Sequence, residues 1–158
     1  MATVKINQFR TRQFGGVSPF GNVTSLLFVL ATLANGSVSN SDSAVALAAG
    51  DVVDLGPLPE GMRLEDASVF VTTGMTATIT GSLGFKYEDG VDDAAVPQDA
   101  AYFGSGIDLA AAGRKRATGS KLVRLPKPAR LILTTAVAAN AKASDVKVIV
   151  QGELTGPA

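Results

Sequence analysis

The feature that most limits what this chain can fold into is a set of short runs in which apolar residues occupy every second position. Such a period of two places one row of side chains on each side of an extended strand. The clearest run, ATITGSLGFKYE, puts five residues on one side: Ala77, Ile79, Leu83, Phe85 and Tyr87. Similar runs are RLEDASVFVTT (63–73), ARLILTTAV (129–137) and SDVKVIVQGEL (144–154). Each predicts a strand with one face in a core.

Three further segments refine this pattern. TSLLFVLATLA (24–34) is apolar on both faces, which predicts a central strand that is covered on each side. GPLPEG (56–61) contains two prolines without the N–H that a sheet needs, so it is an edge or a rigid connector. GIDLAAAGRKR predicts the one short helix, with Asp108 as N-cap and Gly113 as its stop.

Many short strands, turns rich in Gly and Pro, and almost no helix predict an all-β fold, a jelly-roll-like antiparallel β-sandwich. The 158 residues suit one domain with a core of its own. We predict a single β-sandwich domain over residues 23–158 and an extended N-terminal arm over residues 1–22.

The arm prediction depends on the composition of the first residues, which are basic, carry phenylalanines and are interrupted by Gly15, Gly16 and Pro19. Such a segment cannot form its own core, so it is either a frayed terminus or an arm laid on a neighbouring molecule. In the second case the anchors are hydrophobic and basic. The predicted contact residues are Lys5, Phe9, Arg10, Arg12 and Phe14.

The charges of the chain are sorted into three zones, although the formal net charge is zero. Residues 1–41 carry +3, residues 42–108 carry −10 and residues 109–158 carry +7. The densest acidic stretch has Glu88, Asp89, Asp92 and Asp93, and the basic zone opens with Arg114, Lys115 and Arg116. Opposite zones on one chain can pair within a subunit or between subunits. We predict that these seven residues lie at a subunit contact, where they would set register and orientation.

The residues that the chain lacks exclude most chemistry. Without His or Cys there is no catalytic triad of the serine or cysteine type and no zinc site of the usual ligands. A glycosidase-like carboxylate pair around Gly90 is possible, but a solvated turn explains the same residues. The spacing of DGVDD does not match the calcium-binding loop of an EF-hand. Taken together, these features predict no metal, no cofactor and no enzymatic activity.

Other binding classes are also disfavoured. No aromatic residue follows Phe103, so nothing in the basic zone can stack on a nucleobase, and no nucleic-acid partner is predicted. A carbohydrate-binding module stays an alternative, although aromatic residues make up only 6% of the chain. The apolar run at residues 26–34 is too short to cross a bilayer and the start lacks the order of a signal peptide, so no membrane is expected.

Three stretches, together spanning residues 50–137, resemble small capsid-associated proteins of tailed bacteriophages. They are VVDLGPLPEGMRLEDASVFV, GSLGFKYEDGVDDAAVPQDAAYFGSGIDLAAAGRKRA and LPKPARLILTTA. The resemblance is to decoration, or cement, proteins, which bind the outside of the head. It implies a jelly-roll-like sandwich, often trimeric, that bridges the shell at local three-fold positions, with no catalytic residue to transfer.

The sequence therefore predicts a virion structural protein made in the cytoplasm of a host bacterium and located on the head surface. Its predicted partners are further copies of itself, as a homotrimer, and the major capsid protein. Another virion part, such as a tail, baseplate or fibre-associated protein, is the alternative within the same class.

Overall fold

The computed structural model describes residues 1–7, 23–119 and 121–155. Its regular structure consists of strands, and the described residues include no α-helix. The strands are β1 (Thr3–Lys5), β2 (Val23–Thr32), β3 (Val52–Leu58), β4 (Met62–Thr73), β5 (Thr80–Tyr87), β6 (Asp99–Asp108), β7 (Gly113–Arg116), β8 (Val123–Arg124), β9 (Ala129–Ala136) and β10 (Ser144–Leu154).

The strands form two sheets. The first sheet has the order β1-β3-β9-β5-β6, and the second has the order β2-β10-β4-β7 with β8 paired to β4. All pairings are antiparallel except that of β1 with β3. The chain passes repeatedly from one sheet to the other, so most neighbours in a sheet are distant in sequence, β5 and β6 being the exception. This is the eight-stranded jelly roll, extended by β1 and β8, and it confirms the predicted fold class.

The core lies between the inner faces of the two sheets. In the second sheet the valines at 146, 148 and 150 and the inner residues of β2 are fully buried. In the first sheet Phe85 contacts Tyr87 and Tyr102 edge to face, with ring centroids 5.8 and 5.5 Å apart. Burial of each of the three valine side chains stabilises the fold by about 1.5–3 kcal/mol. The predicted alternation holds for Leu83, Phe85 and Tyr87 of β5 and for the buried Ile79 just before it, whereas Ala77 is exposed.

Two of the sequence predictions are wrong. Asp108 ends β6, and its carboxylate accepts the N–H groups of Ala110 at 2.9 Å and Ala111 at 3.2 Å. These bonds resemble a helix cap, but three alanines are too few to form a helix and the chain turns directly into β7. In addition, β2 is not a central strand among the described residues: it lies at the end of the second sheet, and β10 is the only described strand beside it.

The first residues of the predicted arm are part of the sandwich. Thr3–Lys5 pairs in parallel with Val52–Asp54 of β3, and Val4 and Ile6 are buried in the core. The positions of the other predicted arm contacts, Phe9, Arg10, Arg12 and Phe14, fall outside the described residues. Because β1 covers only the start of β3, Pro57 lies on a part of β3 that pairs with β9 and with no other described strand, as expected for an edge position.

Candidate interaction surfaces

The acidic and basic zones of the sequence meet within one chain. Among the described residues, four ion pairs join an acid of the zone at 42–108 to a base of the zone at 109–158: Asp66–Arg116, Asp99–Lys121 at 3.8 Å, Asp89–Lys127 at 2.7 Å and Asp54–Arg130 at 3.0 Å. The first three have at least one well-exposed partner and therefore add little stability each. The fourth is largely buried. Much of the charge separation thus serves pairing inside the subunit.

The acid loop, residues 88–98 between β5 and β6, is shaped by its own carboxylates. Asp92 accepts the N–H of Gln98 at 2.7 Å and that of Asp93 at 2.9 Å. Asp93 in turn accepts the N–H groups of Ala95 at 2.9 Å and Val96 at 3.0 Å. Side chains of this type commonly replace backbone partners in turns. This role of Asp92 and Asp93 was not predicted, although the Asx-turn preference of Asp was a possible signal.

Lys127 fixes the tip of the acid loop to the body of the domain. Its ammonium group donates to Asp89 at 2.7 Å and to the Val91 carbonyl at 2.7 Å, and it lies 4.6 Å from the centroid of the Tyr87 ring. Tyr87 donates its hydroxyl proton to the Val96 carbonyl. Burial, together with the charges of Asp93, Asp92 and Asp89, raises the pKa of Tyr87 to about 12.

Lys127→Met is expected to raise the pKa of Asp89. The hydrogen bond from Lys127, followed by that from the Val91 N–H, holds the pKa of this carboxyl below its ordinary value. A lowered pKa stabilises the folded state at neutral pH, and this contribution is lost as the pH falls through it. NMR titration of the Asp89 carboxyl carbon measures the change. Asp108 is an internal control, because the N–H groups of Ala111 and Ala110 lower its pKa without Lys127; equal shifts at both residues would contradict the assignment.

The predicted basic contact residues lie on β7, at the edge of the second sheet. Arg114 stacks over the Phe70 ring at 5.1 Å and donates to the Ser68 hydroxyl at 3.2 Å, while Arg116 pairs with Asp66. No ion pair in the described part of the chain joins β7 to the acid loop. A contact between Glu88, Asp89, Asp92 or Asp93 of one copy and Arg114, Lys115 or Arg116 of another stays a prediction.

The outer face of the second sheet exposes apolar side chains. The strand register places Leu27 beside Ile149 and places Val29 beside Lys147, which neighbours Phe70. Leu27 is 50% exposed and Val23 is 70% exposed. The ten residues of β2 include no charge and no proline, the usual protection of an edge strand. A surface of this type is characteristic of contact with another protein.

Within residues 1–7, 23–119 and 121–155, no group of three or more acidic side chains is arranged to hold a metal ion. The same residues include no helix that is long and apolar enough to cross a membrane.

Comparison with known proteins gives likeness in structure only. No family model matches the chain, and no curated protein matches its sequence. A chain from the capsid of Ralstonia phage GP4 is similar over 99% of both chains, with a TM-score of 0.69 and 23% identity. A chain from the capsid asymmetric unit of cyanophage Pam1 covers 92% of this chain and 94% of its own length, with a TM-score of 0.57 and 19% identity. The fold is thus shared with chains of two phage capsids, in agreement with the resemblance in the sequence.

Proposed function

We propose that the chain is a structural protein of a bacteriophage virion, a decoration or cement protein on the outside of the head. The observation that carries this proposal is the likeness to a chain of the Ralstonia phage GP4 capsid, which covers 99% of both chains. The proposed partners are the major capsid protein and further copies of this chain, as a homotrimer.

The described surface is consistent with a protein that acts by binding. An uncharged edge strand with half-exposed leucine and valine would be a site of aggregation if it stayed in water. Contact with a capsid subunit or with another copy would cover it. The sequence has neither His nor Cys, and Asp89, Asp92 and Asp93 accept hydrogen bonds that shape the acid loop, so we infer that the protein carries out no reaction.

The mechanism is thermodynamic linkage. A protein that binds assembled capsid subunits, and not the separated ones, stabilises the assembly by RT ln(1 + [L]/Kd). A concentration of one hundred times Kd corresponds to about 2.7 kcal/mol per site. Bridging two capsid subunits with one decoration protein therefore raises the free energy needed to separate them.

Binding to purified heads tests this proposal. Undecorated heads of the phage that encodes the chain are mixed with the full chain and sedimented, and their thermal disruption is followed by calorimetry. We expect the chain to sediment with the heads at saturable stoichiometry and to raise their disruption temperature. A chain that stays in the supernatant at every concentration would contradict the proposal.

A further inference from the structure

A cleft of about 380 Å³ lies on the outer face of the first sheet, where β1, β3, β9 and β5 run side by side. Its charged lining residues are Lys5, Asp42, Asp54, Lys86, Glu88 and Arg130. The volume is at the small end of the range of ligand pockets, about 300–1,000 Å³. It is enough for one side chain and the backbone next to it.

Two basic residues of this cleft, Lys86 and Arg130, lie on neighbouring strands. In the β5–β9 ladder Lys86 is the direct partner of Arg130, and like charges in that position destabilise a sheet. Asp54 offsets only one of them: both of its oxygens accept the Nε–H of Arg130, at 3.0 and 3.1 Å. Lys86 itself has no ion-pair partner among the described residues.

The cleft contains hydrogen-bond donors that could bind an anion. Arg130 bonds Asp54 through Nε alone, so within the described residues its two terminal amino groups have no acceptor. The ammonium group of Lys5, on the neighbouring β1, has no ion-pair partner in that part of the chain either. A planar guanidinium with free amino groups binds a carboxylate through two parallel hydrogen bonds.

The acids of the cleft restrict the ligand to a small anion. Asp42 accepts the Lys5 N–H at 2.9 Å, and Glu88 adds a second negative charge beside Lys86. With three bases and three acids, the lining has no net charge. Asp42 and Glu88 would repel a polyanion such as nucleic acid, whereas a single carboxylate can reach Arg130 and Lys86.

Residues 8–22, which follow the cleft residue Asn7, and the acid loop of a second copy are poor sources of this carboxylate. Residues 8–22 contain no Asp or Glu. In the acid loop Asp89, Asp92 and Asp93 already accept hydrogen bonds within their own chain, and Glu88 lines the cleft. A different protein is therefore the better source.

We propose that the cleft binds an Asp or Glu side chain of the capsid shell protein, between Arg130, Lys86 and Lys5. The identity of the partner rests on the proposed function, whereas the chemistry of the cleft does not. This contact would add a specific polar anchor to the apolar contact of the second sheet.

Charge reversal at Lys86 tests the contact with shells. Lys86→Glu should weaken co-sedimentation of the full chain with undecorated heads by at least about tenfold, because a buried charge contact becomes repulsive. Lys142→Glu is the matched control, since Lys142 is exposed, lies outside the cleft and should bind within about twofold of the unmodified chain. Circular dichroism confirms that both variants are folded. Equal binding by the two variants, while the unmodified chain binds normally, would overturn the proposed cleft contact.

A second measurement needs no shell. The unmodified chain is titrated with the peptide acetyl-Ala-Glu-Ala-amide, with its Gln counterpart and with inorganic phosphate, and the Nε–H signals of its arginines are followed by NMR. We expect the Glu peptide to shift the Arg130 signal, the Gln peptide to leave it unchanged, and Lys86→Glu to abolish the shift. Equal shifts with phosphate, or no shift with the Glu peptide, would overturn the assignment of a carboxylate site. A shift in a chain that does not bind shells would support the cleft and contradict the proposed function.

Discussion

Arg130→Met should lower the free energy of unfolding by about 3–5 kcal/mol, the usual cost of leaving one member of a buried ion pair alone. Asp54 is 2% exposed, and the Arg130 side chain is 18% exposed. The carboxylate would lose both hydrogen bonds from Nε and would stay in a position that water hardly reaches. Urea denaturation at neutral pH, followed by circular dichroism, measures the difference.

Two further variants make this result specific. Arg116→Met removes the partner of Asp66 at the surface, where the Arg116 side chain is 65% exposed, and should cost at most about 1 kcal/mol. Asp54→Val combined with Arg130→Met should recover most of the lost stability, because a buried ion pair can often be replaced by apolar residues. If Arg130→Met lowered the free energy of unfolding no more than Arg116→Met does, the Asp54–Arg130 pair would not be buried as described.

Replacement of residues 8–22 by a Gly/Ser sequence of the same length should reduce the affinity for heads by at least about a hundredfold. The predicted anchors Phe9 and Phe14 would each contribute at least about 2 kcal/mol if they fill pockets on the shell. Deletion of residues 1–20 is a poorer test, because it would also remove β1 with the buried Val4 and Ile6. Co-sedimentation gives the affinity, and urea denaturation should show an unchanged domain.

Single substitutions locate the effect within that segment. Phe9→Ser and Phe14→Ser should each weaken binding, and Phe20→Ser serves as the matched control because it removes the same type of side chain at a position outside the predicted contact residues. A replaced chain that binds heads at full affinity would show that the contact is made elsewhere, with the outer face of the second sheet as the next candidate.

The strands were largely predictable because their signal is local. In β5 and β10 the period of two directly reflects one face against the core. The helix predicted after Asp108 failed for the opposite reason. Its cap and alanines are local signals, but pairing of Gly113–Arg116 with β4 decides the outcome, and that pairing is distant in sequence.

The prediction that β2 is a central strand was wrong for a physical reason that bears on function. An apolar outer face looks the same in sequence whether the same chain or a partner covers it. Among the described strands, β2 lies at the end of a sheet, with Leu27 half exposed. The failed prediction of a central strand therefore points to a surface that the assembly can cover.

The sequence predicted which charged segments contribute to the candidate sites, but it did not predict which residues pair with each other. The two charged zones were evident, but the pairing of Asp54 with Arg130 follows from the register of β3 against β9 and could not be read from the sequence. Asn140 gave no signal at all. It is buried and links the loop between β4 and β5 to the end of β2, accepting the Thr76 N–H at 3.1 Å and donating to the Thr32 hydroxyl at 3.0 Å.

The position of the protein in the virion tests the central proposal most directly. Cryo-electron microscopy of virions, with and without the gene for this chain, compares the outer surface of the head. We expect a sandwich-sized density above the shell, at sites between neighbouring capsid subunits, that disappears when the gene is removed. Identical head surfaces in both virions, or a loss of density confined to the tail, would contradict it.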